Sequence, residues 1–439
     1  MDYKILETKR KAIAEKIIVG IDPGKEKHQA AVLNRAGIHQ KTFTFQVNPQ
    51  GYRVILWKKL DKIIAHEDFK DVVFALETSC NLWQTLAQFL HYSGYPVLLV
   101  SPLTTHYSRS FLDHDFSHTD PKDALLMASN ARSGYFDFYQ VYSAEINAMH
   151  ELSLIYCKMR KTLQQQRARL RAYIEYVFPE FLRVVKLDTE TARYLLKDYF
   201  LAHHYLNLDV VSVGRKIAKI SQNQYGCQTL EELQKAAKAS IGIIKSGPEI
   251  LAGQLAIESW LAMEAQAKQQ QQKVKAALIE LVGDMPEFEI IKSLKGVSDL
   301  LAALFIAETR DLALYNHWKQ IEKLAGLNLR LIQSGKYVGR KRISHIGNRR
   351  LSWILYWMCE QTSRSVPEIR IKYLKRQLHR PCYRKSLIAC VPVLLKLIML
   401  LVKEQRPYEF RDAKVAEMKR LERECEAKKA NKKKSPRTQ

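Results

Sequence analysis

The sequence predicts a mixed α/β domain at its N-terminal end, then a long helical hairpin, then a helical domain. Three observations lead there. Up to about Tyr135, short apolar runs alternate with stretches of helical spacing. From Ser143 the helical period takes over, and past Leu281 the chain reads as a compact helical domain punctuated by Gly296, Gly326 and Gly335.

Within the first domain, Lys16–Asp22 (KIIVGID) is an apolar run that ends in a carboxylate. His28–Asn34 and Lys41–Val47 read as the next two strands, joined by turns at Pro23-Gly24 and Ala36-Gly37. Gly51–His66 carries helical spacing, and Asp71–Glu77 (DVVFALE) is a second buried-strand run ending in a carboxylate. Leu82–Tyr92 is helical, Gly94 stops it, and Pro96–Val100 is a fifth strand. Three hairpin-linked strands followed by helix, strand, helix, strand is the element order of the RNase H fold. An all-parallel sheet is disfavoured, because the first connections are too short to hold crossover helices.

From Ser143 to Phe178 apolar residues recur at helical spacing, with Ser143 as N-cap and Glu145 in the first turn. A second long helix is expected from about Ala252 to Val282, and the two read as an antiparallel hairpin or coiled coil. Its role as spacer or as dimerisation element stays open. The intervening Val185–Gly247 gives mixed signals, assigned only as helical and as a possible insertion. The expected domains are therefore 1–142, 143–284 with the insertion at 185–247, a helical domain over 285–412, and a basic tail over 413–439, with Lys428–Gln439 solvated and disordered.

Lys and Arg number 70 against 45 Asp and Glu, a formal charge of +25, which favours a polyanionic partner. Anionic membrane is the rival reading, but no lipid anchor or amphipathic basic helix is evident. The longest apolar run, Val391–Val402, is short for a membrane span and contains Lys396, so it reads as a buried helix. The seven cysteines are scattered and never spaced C-x-x-C, which disfavours a disulfide framework or a zinc site and suits a reducing cytoplasm. No signal-peptide core is seen in MDYKILETKRKAIAEK. A cytoplasmic, nucleoid-associated protein is expected.

Four acidic residues stand where an RNase H-like sheet would gather them. Asp22 ends the first strand, in GIDPGK, and Glu77 ends the fourth, in ALETS. Asp120 and Asp123, in HTDPKDA, share one helical face at i and i+3. Strands one and four are neighbours in that fold, so Asp22 and Glu77 would lie side by side with the Asp120–Asp123 helix over them. Such a cluster is costly unless cations neutralise it, and two Mg²⁺ ions, for which Mn²⁺ can substitute, would do so and clamp a scissile phosphate. Each acid alone is more often a turn or cap residue. Asp113 and Asp115 are rivals for the helical pair, but the apolar run after Asp123 favours Asp120 and Asp123.

A second region has no Asp or Glu between Glu322 and Glu360. It holds Lys336, Arg340, Lys341, Arg342, Arg349 and Arg350, and within it Gln333-Ser334-Gly335. Ser334 either hydrogen-bonds a nucleic-acid backbone or attacks a phosphodiester, with the cations stabilising the transition state. By spacing alone a simple turn is favoured, and Ser344 is a rival. Arg370–Lys385, dense in Arg and Lys and interleaved with Tyr373, His379 and Tyr383, suits a nucleic-acid backbone or a solvated helix face.

These residues carry a family resemblance. GIDPGKEKH, ALETSCNLWQTLAQFLHYSGYPVLLVSP and HTDPKDALLMA, followed by LKGVSDLLAALFIAET, HWKQIEKLAGLNL and QSGKYVGRKRISHIGNRRLSWILY, resemble the DEDD transposases of insertion-sequence family one-hundred-and-ten, which include the Piv-type DNA invertases. The resemblance implies a RuvC-like domain whose metal ligands are Asp22, Glu77, Asp120 and Asp123. It implies a C-terminal transposase domain in which Ser334 becomes covalently linked to DNA. It also implies a structured, element-encoded guide RNA that pairs with donor and target DNA. The expected protein is a site-specific recombinase working as a homodimer or homotetramer, its active-site halves supplied by different subunits. The alternatives are a junction resolvase of RuvC type with water as nucleophile, and a non-catalytic nucleic-acid-binding protein.

Overall fold

Strands β1 (Ile17–Asp22) and β2 (Lys27–Leu33) are apolar runs buried on both faces, β3 (His39–Gln46) alternates as an edge strand does, and short turns link the three as an antiparallel meander. The computed structural model describes residues 3–79, 81–110, 119–335, 337–410 and 412–434. They divide into two units, Met1–Val141 and Tyr142–Gln439.

In the first unit β4 (Val72–Glu77) pairs parallel to β1, β5 (Val97–Val100) pairs parallel to β4, and β6 (Asp137–Phe138) closes the edge antiparallel. The strand order is β3-β2-β1-β4-β5-β6, so the meander precedes the crossovers as the element order predicted. Side-chain alternation gives the sheet two cores. Ile17, Val19 and Ile21 pack with Leu56, Leu60, Leu86 and Leu90 on one face. Ile18, Val73, Ala75 and Leu98 pack with Leu126, Met127, Ala128 and Ala131 on the other. Helix α1 (Leu82–Tyr92) therefore covers the first face and α2 (Asp120–Arg132) the second.

Helix α2 lies unusually close to β1. A Cβ on Gly20 would meet the Ala124 carbonyl oxygen at 2.3 Å and the Ala128 nitrogen at 2.5 Å. Only a residue without a side chain fits between strand and helix there.

The second unit is helical. Its long helices α3 (Ala144–Val177) and α4 (Pro248–Gly283) run antiparallel: Met149 and Tyr156 share a core with Leu278 and Val282, and Leu170 and Ile174 share another with Ile257. Ser143 caps α3, its hydroxyl accepting from the Ile146 N–H. The stretch between them folds into short helices, Glu190–Asp198, Val210–Ile220 and Cys227–Lys238, around Phe178, Phe181, Phe200 and Tyr205. Thr189 and Asp209 cap the first two of these through the N–H groups of Ala192 and of Val211 and Ser212.

Beyond α4, helix α5 (Asp299–Thr309) is buried on all sides from Ala302 to Thr309. Around it stand α6 (Arg349–Thr362), α7 (Pro367–His379) and α8 (Val391–Lys403). Val391, Leu394, Leu395, Ile398 and Leu401 put α8 in that core, so the long apolar run is a buried helix. The segment read as a basic tail differs from expectation. Asp412–Lys434 forms helix α9, whose Leu421 and Cys425, one turn apart, are buried against Ile371 and Leu374 of α7. Its apolar residues, Val415, Met418, Leu421 and Cys425, are too sparse among the charges to stand out in the sequence. Residues 435–439 lie outside the described residues.

The Gly20 contact gives the first prediction. Gly20→Ala should destabilise the first unit by about 1–3 kcal/mol, toward the upper end because the obstructing atoms are backbone and cannot rotate away. A thermal melt followed by circular dichroism reads it, and an unchanged melting temperature would show that α2 can lift off β1 freely.

Candidate active site

Strand parity places the acids. Asp22 is even with Ile18 and Gly20, and Glu77 is odd with Val73 and Ala75, so both face the side of the sheet covered by α2. In the parallel pair, Ile21 stands opposite Leu76, and Asp22 and Glu77 follow as adjacent strand ends. The expectation that they lie side by side is met. Asp120 is the first residue of α2 and is exposed; Asp123, one turn on, is largely covered. The rivals Asp113 and Asp115 lie outside the described residues.

The charges feel one another. Burial and then the charges of Asp123, Glu77 and Asp120 push the Asp22 carboxyl up to about 6, while Arg109 pulls the other way. Burial and Asp123 raise Glu77 as well, with Arg109 and the hydroxyls of Ser79 and Thr105 opposing. Arg109 grips Asp123 with both arms of its fork, Nε to Oδ1 at 3.0 Å and Nη2 to Oδ2 at 3.3 Å. Among the described residues no three His, Cys, Asp or Glu side chains are grouped tightly enough to ligate one ion as they stand. In kind the donors suit a hard divalent cation, since all four are carboxylates, and burial together with their repulsion has raised Asp22. In arrangement, Asp123 is already taken by Arg109.

The turn after Asp22 is held from beneath. His28 is fully buried, and burial lowers its pKa to about 4, so the imidazole is neutral. Its Nδ1 accepts from the Gly24 N–H at 3.2 Å, so the proton sits on Nε2, 2.8 Å from the Tyr52 hydroxyl.

Ser334 lies at the tip of a double hairpin. Leu329–Arg330 pairs with Arg342–Ile343, and inside it Gln333–Ser334 pairs with Tyr337–Val338. Gly335, at φ +54°, takes the left-handed turn after the serine. Ser334 is exposed, as are Arg340, Lys341, Arg342 and Arg349; Lys336 lies outside the described residues. Arg350 behaves differently from its neighbours. Its Nε donates to Glu308 Oε1 at 2.7 Å, so it is engaged within the fold. Glu308 is buried and also accepts from Ser153 at 2.7 Å and Asn348 at 2.5 Å, which ties α3, α5 and the N-terminus of α6 together. These partners hold its pKa low against the burial that would raise it. In the other basic segment, Arg370 and Lys375 pair with Glu422 and Glu417 of α9 at 2.9 and 2.6 Å.

Comparison with known families matches both ends of the chain. Residues 19–179 match the DEDD transposase domain of IS110 type, and residues 288–374 match the transposase domain of the IS116/IS110/IS902 family. The chain belongs to the IS110 family of DEDD transposases. A search of curated proteins gives no match. As an IS110-type transposase it acts on DNA, cutting and rejoining strands by phosphoryl transfer. The first match contains all four acids and the second contains Ser334.

Two participants in this transposase escaped sequence reasoning. Arg109 is fourteen positions from Asp123, a spacing that fits no local motif. Glu308 sits within the quoted LFIAET, but nothing distinguishes a buried acid at the end of an apolar helix from an ordinary exposed one.

The raised Asp22 has a consequence for stability. A carboxyl whose pKa is higher folded than unfolded adds stability below about pH 4 and loses it as pH rises through about 6. Without divalent cation, Asp22→Asn should therefore stabilise the transposase at pH 8 by about 1–2 kcal/mol, discounted for the partial exposure of Asp22. The gain should vanish by pH 4. Melting curves at the two pH values check it; a variant that melts lower than wild type at pH 8 contradicts it.

Proposed function

We propose that Asp22, Glu77, Asp120 and Asp123 of an RNase H-like, RuvC-like domain hold divalent metal, Mg²⁺ or in its place Mn²⁺, and that Ser334 is the nucleophile of strand cleavage. The observation that carries the first part is the placement of Asp22 and Glu77 at the ends of neighbouring parallel strands, on the face that α2 covers. The exposed serine at a hairpin tip, in a segment that also exposes Arg340, Lys341, Arg342 and Arg349, supports the second. When bound, the metal would neutralise the phosphate and favour loss of the hydroxyl proton.

Ser334 Oγ forms a bond to phosphorus, the bond from phosphorus to the 3′ oxygen breaks, and that oxygen leaves as a 3′-hydroxyl after taking up a proton. The serine proton passes to solvent or to a carboxylate supplied by another subunit. Because the phosphodiester is exchanged for a phosphoserine link, the strand can be resealed without ATP. The surrounding cations stabilise charge on the transferring phosphoryl group and contact the DNA backbone. A structured element-encoded RNA directing donor and target DNA, and a homodimeric or homotetrameric assembly, complete this reading. Membership of a transposase family does not favour the junction-resolvase alternative, in which water attacks.

Ser334→Ala should bind DNA with unchanged affinity and lose all cleavage. A denaturant-stable protein–DNA adduct should form with the native serine, migrate as one chain joined to one strand, and disappear in the variant. Nicking by Ser334→Ala, with no adduct trapped from wild type, would hand the reaction to water.

A further inference from the structure

The acid cluster already holds a cation, the guanidinium of Arg109. Arg109 and Asp123 are each only 14% exposed, and both oxygens of Asp123 are bonded to the one fork. Arg109 follows the helix Pro102–Ser108, which is fastened to α2: Asn130 Nδ2 donates to Ser108 Oγ at 2.9 Å, and Thr105 Oγ1 lies 3.8 Å from Met127 Sδ. The backbone from which Arg109 reaches is thus anchored to the helix that carries Asp123, while the side chain is long and rotatable. Its charge extends past Asp123 to Asp22 and Glu77, where it opposes the mutual repulsion of the acids.

An ion bound by Asp123 would meet this guanidinium at close range. A carboxylate has spare lone pairs, but an ion taking one of them would sit beside a fixed positive charge in a largely covered site, where repulsion is poorly screened. Two cations cannot both use Asp123 at low cost. We propose that Arg109 is a displaceable placeholder: it clamps Asp123 in the metal-free transposase and turns away when a divalent cation enters. The clamp keeps the acid cluster partly neutralised before the metal arrives, and it makes metal affinity depend on a residue that is not itself a ligand. By linkage, anything that draws Arg109 off Asp123, such as the phosphate of bound DNA, tightens metal binding by the same factor that metal tightens its hold on that phosphate.

This proposal rests on the reading of the acid cluster as a metal site, and one titration separates the two. Mn²⁺ binding to the full-length protein, read from the free-ion signal in electron paramagnetic resonance, is compared for wild type, Arg109→Gln, Arg109→Lys and Asp22→Asn. Arg109→Gln should bind Mn²⁺ about tenfold tighter than wild type, a coupling of about 1.4 kcal/mol. Arg109→Lys, which keeps the charge but not the fork, should fall between them, and it carries the test alone if Arg109→Gln does not fold. Asp22→Asn should lose the site. Equal or weaker binding by Arg109→Gln, with Asp22→Asn still defective, overturns the placeholder and makes Arg109 a support for Asp123 as ligand. Unchanged binding by Asp22→Asn overturns the metal site, and the placeholder with it.

Discussion

Helix α2 rests on β1 at Gly20, and almost everything in the first unit follows from how closely it comes. The approach buries Ala124 and Ala128 against the sheet and carries Asp120 and Asp123 to the end where β1 and β4 deliver Asp22 and Glu77. Hydrophobic burial drives the contact. Its electrostatic cost appears in the raised Asp22 and Glu77, which a protein selected for stability alone would have replaced with neutral residues. Local expense of this kind, held in place by a core that over-determines it, is what the proposed divalent-metal site would require of its carboxylates.

The second unit places its own charge differently. Glu308 is fully buried yet satisfied by Ser153, Asn348 and Arg350. Removing any one of them would leave part of a buried carboxylate unpaired, a loss of about 3–5 kcal/mol when the partner is the arginine. The network joins α3 and α5 to the N-terminus of α6, the helix that follows the serine hairpin, while the hairpin itself exposes Leu331, Ile332, Tyr337 and Val338. The two units thus treat charge in opposite ways: the first leaves Asp22 and Glu77 partly uncompensated, and the second pairs its buried Glu264, Glu308 and Glu360 with arginines.

What the sequence disclosed follows from which forces are local. The strands and α2 were legible because side-chain period and short turns act over a few residues, and Asp22, Glu77, Asp120 and Asp123 could be placed once the strand order was read. The long helices α3 and α4 were legible for the same reason. Arg109 was not, since its partner is distant in the chain and an arginine advertises no period. Arg350 looked like its exposed neighbours until Glu308, remote in sequence, was seen to engage it. Helix α9 was missed because Leu421 and Cys425 are sparse among lysines and glutamates, and only their burial against α7 identifies the helix face.

The central claim is that the acids at the end of β1 and β4 form a divalent-metal site that Arg109 guards. The most direct measurement is the anomalous scattering of Mn²⁺ in crystals of the full-length transposase. The account predicts a peak bounded by the carboxylates of Asp22 and Glu77, with the Arg109 guanidinium turned off Asp123. A Mn²⁺-saturated crystal with no peak there, and with Arg109 still clamped on both oxygens of Asp123, would contradict it.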